Sequence, residues 1–337
     1  MVEVLVTGGA GFIGSNFVRH ALAAHGDWRI TTLDKLTYAG RLENLDGIMD
    51  HPRHEFVKGD VSDPAVADPL VRASEIVVHF AAETHVDRSI ASAGEFIMTD
   101  VFGTFVLLEA ARQAPRLRRF VQISTDEVYG SVSSGASREG DELKPRNPYS
   151  ASKAGADRLA YSYWATYQVP VVITRASNNY GPYQFPEKII PLFITNAIDE
   201  VPVPLYGDGL NERDWLHVLD HCRALDVVID RGDDGEVYNI GGGNHVRNID
   251  LTRRILSLVG RPESLIRPVA DRPGHDRRYS LDTSKLQSLG WRPQTAFEQG
   301  LADTVAWYRD HPSWWRPIKD EDPEFRKYYQ EHYGNRR

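Results

Sequence analysis

An α/β fold, with helices on both faces of a doubly wound parallel sheet, is predicted by three features of the sequence. Short β-branched runs recur through the first half, at residues 2–6, 30–33, 55–58, 75–80, 120–124 and 169–175. Several are almost wholly apolar, as strands covered on both faces must be. Helix-length stretches separate them, among them 14–24, 101–112 and 149–166, and a glycine-rich loop joins the first run to the first of these. Strand and helix in alternation is the pattern of right-handed crossover units.

The 337 residues suffice for two domains at roughly 150 residues each. Apolar residues at 41% and charged residues at 26% exclude a disordered or collagen-like chain. A net charge of −8 leaves no basic footprint, so neither nucleic acid nor a membrane surface is expected as a partner. The single Cys222 cannot pair within the chain, which fits a reducing compartment and a cytoplasmic protein. No apolar run approaches the ~18 residues of a membrane span, and residues 2–6 lead straight into the glycine loop without a signal peptide.

That loop, Thr7-Gly8-Gly9-Ala10-Gly11-Phe12-Ile13-Gly14, follows the first strand and opens a helix. Gly9, Gly11 and Gly14 satisfy G-x-G-x-x-G, while Gly8, Gly11 and Gly14 are evenly spaced at three. Such glycines permit a tight turn, close approach of backbone to a pyrophosphate and close packing of helix on strand. The helix N-terminus then offers free N–H groups to the phosphates. Asp34 lies 20 residues after Gly14, at the end of the second strand. A carboxylate there accepts from the ribose 2′-hydroxyl and repels a 2′-phosphate, selecting NAD over NADP; the plain alternative is a strand-end turn residue. Asp60, ending the third strand, is placed to reach the adenine edge. These features predict a Rossmann-type, dinucleotide-binding domain.

Past residue 176 the texture changes. Pro182, Pro186, Pro191, Pro202 and Pro204 precede Gly207 and Gly209, and a second such cluster spans 271–275, so loops and short strands are expected. The expected division is an NAD-binding domain of residues 1–176, 217–244 and 297–325, with a smaller α/β substrate-binding domain of 177–216 and 245–296. The charged, aromatic tail from Pro317 reads as a surface extension. Phe102, Phe105, Val106 and Glu109, at helical spacing, read as a packing face, with a dimer contact as the lesser alternative.

Tyr149 and Lys153 stand at i and i+4 on one helix face. A tyrosine with a reference pKa of about 10 is a poor base, but an adjacent ammonium and an oxidised nicotinamide both favour its phenolate. The pair then takes a hydroxyl proton while a hydride leaves for NAD.

The glycine loop and the Tyr149–Lys153 pair, in this order, resemble the extended short-chain dehydrogenases/reductases that modify nucleotide sugars. Within them Ser124-Thr125-Asp126-Glu127-Val128-Tyr129-Gly130 resembles the signature of the dTDP-glucose 4,6-dehydratases. The likeness continues through residues 81–89, 177–182, 213–215 and 271–275. One departure is the connection of only 19 residues between Tyr129 and Tyr149, which is short and similar to the versions serving secondary-metabolite deoxysugars. The resemblance extends the cofactor-binding set to Phe12, Ile13, Lys35, Leu36, Thr37, Val61, Phe80, Ala81, Ala82, Thr99 and Asn179. It implies dTDP-glucose as substrate, tightly held NAD and a homodimer paired through helices near 101–112 and 149–166.

Dehydration across C5 and C6 of a 4-keto sugar needs a base for the C5 proton and an acid for the departing hydroxyl. Adjacent carboxyls divide those roles if their environments push their pKa values apart. Consecutive strand residues point to opposite faces, so Asp126 and Glu127 share a pocket only if the strand ends at or before Asp126. The implied roles are Tyr149, Lys153 and Thr125 at the C4 hydroxyl, Glu127 at C5 and Asp126 at O6. For substrate binding the resemblance implies Thr84, Thr125, Asn178, Lys188, Ile189, Pro204, Leu205, Tyr206, Arg213, Asn248, Asp271, Arg272, His275 and Tyr279. Arg213 and Arg272 carry forked donors suited to a diphosphate. His85 and His275 lack metal-ligand spacing, and no metal is expected. The rival readings are a UDP-sugar 4-epimerase or UDP-glucuronate decarboxylase, which needs no acid for water loss, and a non-catalytic NAD-sensing protein.

Overall fold

The computed structural model describes residues 1–271 and 274–334. In chain order its strands are β1 (Val2–Thr7), β2 (Trp28–Asp34), β3 (His54–Lys58), β4 (Ile76–His79), β5 (Arg119–Thr125), β6 (Val171–Ala176), β7 (Asn178–Tyr180), β8 (Val203–Tyr206), β9 (Glu212–His217), β10 (Val237–Ile240), β11 (His245–Arg247) and β12 (Ile266–Val269). The helices are α1 (Phe12–Ala24), α2 (Pro64–Ala73), α3 (Val86–Ala91), α4 (Gly94–Phe96), α5 (Thr104–Arg112), α6 (Pro148–Tyr167), α7 (Ile189–Ile198), α8 (Val218–Arg231), α9 (Asn248–Val259), α10 (Ser284–Ser288), α11 (Phe297–Asp310), α12 (Pro312–Asp320) and α13 (Pro323–Tyr329).

Seven strands form one parallel sheet in the order β10-β6-β5-β4-β1-β2-β3. Side chains alternate between its faces, as the two-residue strand period demands. Val4 and Val6 of β1 join Phe17 and Val18 of α1 and Leu225 and Val228 of α8 on one face. Leu5 joins Val71 of α2, Leu107 and Leu108 of α5 and Ala160 and Tyr163 of α6 on the other. Each large apolar side chain buried this way contributes about 1.5–3 kcal/mol. The strand order reverses between β1 and β4, and ligands bind beside such a switch point at the carboxyl ends of the strands.

A second core lies outside this sheet. Tyr180, Phe193 of α7, Trp215 of β9, Leu251 and Ile255 of α9 and Phe297 and Leu301 of α11 pack there. The small sheets β11-β9-β7 and β12-β8 flank it. The tail departs from the surface extension expected of it. Ile318, Phe325, Tyr328 and Tyr333 are buried with Trp314 and Trp315 in this second core. Trp314, Trp315 and Ile318 of α12 and Phe325 and Tyr328 of α13 recur at helical spacing, so each helix turns one apolar face inward and leaves the charges outside.

Two further differences are local. Phe102 and Phe105 are each 39% exposed while Val106 is buried, so the expected packing stripe is split between core and surface. Strand β10 and helix α2 were not among the expected elements. Among the described residues no helix is long and apolar enough to cross a membrane.

Candidate active site

A cavity of about 310 Å³ opens at the switch point, lined from the glycine loop to the end of β5. Gly8 has φ +69°, and a Cβ there would sit 2.6 Å from Ala81 N, so this crossing of the β1 and β4 loops tolerates only glycine. Asp34 ends β2 with its carboxylate held by two backbone donors. Ala10 N–H reaches Oδ2 at 2.9 Å and Leu36 N–H reaches Oδ1 at 2.8 Å. Burial raises its pKa, and those two hydrogen bonds oppose the rise. Lys35 Nζ lies 2.7 Å from Asp60 Oδ2.

Gly8, Gly11, Phe12, Ile13, Gly14, Asp34, Lys35, Thr37, Asp60, Val61, Phe80, Ala81, Ala82, Thr99 and Asn179 all line this cavity. Leu36 does not, and acts there through its backbone N–H. A glycine cradle that excludes Cβ atoms, a fixed carboxylate and orphaned polar atoms at the far end together fit a dinucleotide. One such atom is His221 Nε2, buried and without a hydrogen-bond partner among the described residues. Burial lowers the His221 pKa to about 3, keeping the ring neutral, and its Nδ1 lies 3.0 Å from Asn179 Oδ1.

The chemistry-bearing end is built by β5 and α6. Strand β5 stops at Thr125, and Asp126–Tyr129 winds into a 3₁₀ turn that brings both Asp126 and Glu127 to the cavity wall. The condition on the strand end is therefore met. Thr125 Oγ1 donates to Asp126 Oδ1 at 3.2 Å and accepts from Glu127 N at 3.3 Å. Asp126 Oδ2 and Glu127 Oε2 are buried without a hydrogen-bond partner among the described residues. Burial, then the charges of Glu127 and Asp214, push the Asp126 pKa well above the usual carboxylate range, with Arg213 opposing.

Helix α6 starts from a capping box in which Asn147 Oδ1 accepts from Ser150 N at 2.8 Å and Ser150 Oγ accepts from Asn147 N at 3.3 Å. Pro148 occupies the first turn, where its missing N–H costs nothing. Tyr149 and Lys153 then face the cavity one turn apart. The helix is pinned to the sheet by Arg175 of β6, whose Nε and Nη2 donate to Asp157 at 2.8 and 3.0 Å. Removing one partner of such a buried pair costs about 3–5 kcal/mol. The expected lowering of the Tyr149 pKa by Lys153 is not met in the protein alone. Burial, then Glu127, Asp100 and Asp126, push the phenol well above its ordinary value. Lys153 Nζ donates to Ile123 O at 2.7 Å, and its own pKa is lowered by burial against the pull of Asp100 and Asp157.

Of the substrate-binding expectations, Thr84, Thr125, Asn178 and Lys188 line the cavity, with Lys188 Nζ 3.3 Å from Thr84 O. Ile189, Pro204, Leu205, Tyr206, Arg213, Asn248, Asp271, His275 and Tyr279 stand outside its wall. Leu205 is a core residue. Arg213 lies over the Tyr279 ring at 4.5 Å and donates to Asp276 O at 2.9 Å. His275 Nδ1 is 2.6 Å from Asp271 Oδ1, and the ring meets Tyr206 edge-on at 6.0 Å. Arg272 falls outside the described residues. Glu83, Gln184, Glu187 and His221 also line the cavity and are not among the expected site residues; Glu83, inside the 81–89 segment, and Glu187, beside Lys188 in Phe185-Pro186-Glu187-Lys188, carry a local signal.

A sequence profile of the family described as GDP-mannose 4,6 dehydratase matches residues 5–304. The chain belongs to that family. Among its relatives, a dTDP-glucose 4,6-dehydratase of Streptomyces niveus is 52% identical over 326 residues, covering 95% of this chain and 97% of the relative. DesIV, a dTDP-glucose 4,6-dehydratase of Streptomyces venezuelae solved with NAD bound, superposes with a TM-score of 0.92 at 51% identity, over 94% of this chain and all (100%) of its own. A UDP-glucose 4-epimerase of Thermus thermophilus, in complex with NAD, shares the fold at a TM-score of 0.85 but only 30% identity, over 92% of this chain and 100% of its own.

Proposed function

We propose that this member of the family is an NAD-dependent hydro-lyase that converts dTDP-glucose to dTDP-4-keto-6-deoxyglucose. One observation carries the reading beyond an epimerase. The 3₁₀ turn after β5 sets two carboxyls side by side in the cavity that holds Tyr149, and burial and the charge of Glu127 both favour the acid form of Asp126. An epimerase has no step that needs such an acid. The relatives cited above at 52% and 51% identity carry the dehydratase name, and the epimerase stands at 30%.

The glycine loop, Asp34 and the cavity wall would hold NAD, which when bound would supply the hydride acceptor for oxidation at C4 and the donor for reduction at C6. Tyr149 takes the O4 proton as C4 becomes a ketone, and Thr125 hydrogen-bonds that oxygen. Glu127 then removes the C5 proton, made acidic by the neighbouring carbonyl, while Asp126 gives its proton to O6 and water departs. The C5–C6 double bond so formed is closed by reduction at C6 and by protonation of C5 from Glu127, whose proton exchanges with solvent. The proton gained by Tyr149 balances the one lost by Asp126, and their exchange through solvent resets the site. No metal takes part in this scheme.

Thr84, Asn178 and Lys188 hold the sugar and its phosphates at the cavity, and the shell from Ile189 to Tyr279 closes around the nucleotide. The division proposed is that expected from the sequence, residues 1–176, 217–244 and 297–325 for the cofactor and 177–216 with 245–296 for the sugar nucleotide, with Phe297, Leu301 and Phe325 packing in the second core. The exposed Ile97, Met98, Phe102, Phe105, Tyr161 and Tyr167 support a homodimer through the segments 97–112 and α6. The single buried cysteine suits a cytoplasmic location, and the 4-keto-6-deoxy product suits a role in deoxysugar synthesis. The test is incubation of the NAD-loaded protein with dTDP-glucose and with UDP-glucose. A 4-keto-6-deoxy product from the former supports the reading, and a C4 epimer from the latter overturns it.

A further inference from the structure

Behind the Tyr149–Lys153 pair lies a carboxylate that the scheme above does not use. Residues Ile97–Gly103 wind as a π-helix between α4 and α5, and Asp100 sits within it, 1% exposed. Such wide turns recur at functional sites because they re-aim side chains out of the helical register. Asp100 Oδ1 accepts from Glu83 N at 2.8 Å, on the cavity-wall loop after β4. Its Oδ2 accepts from Ser152 Oγ at 2.6 Å, and that hydroxyl also reaches Tyr149 O at 2.8 Å. One carboxylate thus ties the cavity wall to the helical turn that carries Tyr149 and Lys153.

The charge of this group is uncommitted in a way that its neighbour's is not. Both donors to Asp100 are neutral, whereas Asp157, the other carboxylate acting on Lys153, already holds Arg175 and Arg158. The titratable groups that act on or feel Asp100 are Glu83 on the β4 loop, with Glu95 of α4 beyond it, and Tyr149 and Lys153 on α6. Burial raises the Asp100 pKa to about 6, with Lys153, Ser152 and Glu83 N–H opposing.

We propose that Asp100 is a positioning residue for proton transfer at C4. It locks the Tyr149–Lys153 turn against the cavity wall and supplies the buried negative charge that faces the Lys153 ammonium and opposes the Tyr149 phenolate. The roles of Tyr149 and Lys153 rest on the function proposed above, but the charge coupling is measurable without substrate.

Asp100→Asn keeps an acceptor for Glu83 N–H and removes the charge. Tyrosinate absorbance of the NAD-loaded protein, with the corresponding Tyr149→Phe titrations subtracted, is expected to place Tyr149 ionisation on the order of one pH unit lower in this variant. The Lys153 ¹³Cε resonance, assigned by Lys153→Met, is expected to titrate lower as well, while NAD content stays unchanged. In the unsubstituted protein the same resonance is expected to show an inflection near pH 6 as Asp100 protonates, a reading that needs no variant. Wild-type titrations in a folded Asp100→Asn protein, or a Lys153 resonance without that inflection, would overturn the proposal. Failure of the dehydratase reading would instead appear as absence of 4-keto product from the unsubstituted enzyme.

Discussion

Asp34 and Asp126 stand at opposite ends of one cavity, and both are buried carboxyls whose pKa burial raises. Their partners separate them. Asp34 receives backbone N–H groups on both oxygens, which hold the charge and fix its direction. Asp126 has one 3.2 Å hydroxyl on Oδ1 and faces the charges of Glu127 and Asp214. In the function proposed above, the first accepts hydrogen bonds from a bound diol, and the second keeps a proton until a leaving group needs it. Residue type and burial are shared, so the difference lies in which groups the backbone brings within reach.

If one end holds and the other reacts, substitutions should separate affinity from turnover. The largest effect is expected at Tyr149. Tyr149→Phe should lower turnover by at least the ~10²–10⁴ typical of an acid–base group while dTDP-glucose binding is kept. Single-turnover absorbance of the reduced cofactor measures this, and near-full C4 oxidation in the variant would remove Tyr149 from its role.

A pH profile sharpens the Asp126 side. Asp126, held well above the usual carboxylate range by burial and by Glu127, keeps its proton to higher pH than an ordinary carboxyl and loses it as pH rises through that raised value. Water elimination should therefore fall on the alkaline side. Asp126→Asn should be slow at every pH and lack that limb, and an unchanged alkaline limb in the variant would assign it to another group.

The smallest effect is expected at the holding end. Asp34→Ala removes charge-assisted hydrogen bonds worth about 1.5–3 kcal/mol, so NAD binding should weaken by about tenfold or more, with discrimination against NADP relaxed. At saturating NAD, turnover should stay close to that of the unsubstituted enzyme. A binding titration that shows unchanged cofactor preference would break the comparison at its first term.

The holding end was legible in the sequence because its signals are local. A glycine loop between a strand and a helix, and an aspartate at the next strand end, need no knowledge of distant residues. The condition that β5 end before Asp126 was also readable, as the alternation of strand side chains requires it. What escaped the sequence is what depends on contacts far apart in the chain. Tail residues Phe325 and Tyr328 are buried only because α7, α9 and α11 offer them a second core. His221 enters the cavity from α8 and meets Asn179, 42 positions earlier. Asp100 gains its meaning from Ser152, 52 positions later, and from a π-helical turn that no local pattern announced. The raised pKa of Tyr149 has the same origin, since its three carboxyl neighbours come from two other segments.

The central claim is that Asp126 gives the proton to the leaving hydroxyl while Glu127 takes the one at C5. A 6-fluoro analogue of dTDP-glucose tests it most directly, because fluoride leaves without needing an acid. Asp126→Asn should be slow on dTDP-glucose and largely restored on the fluoro compound. Glu127→Gln should be slow on both, and solvent deuterium should no longer appear at C5. Equal responses of the two variants to the fluoro compound would contradict the division of labour between the two carboxyls.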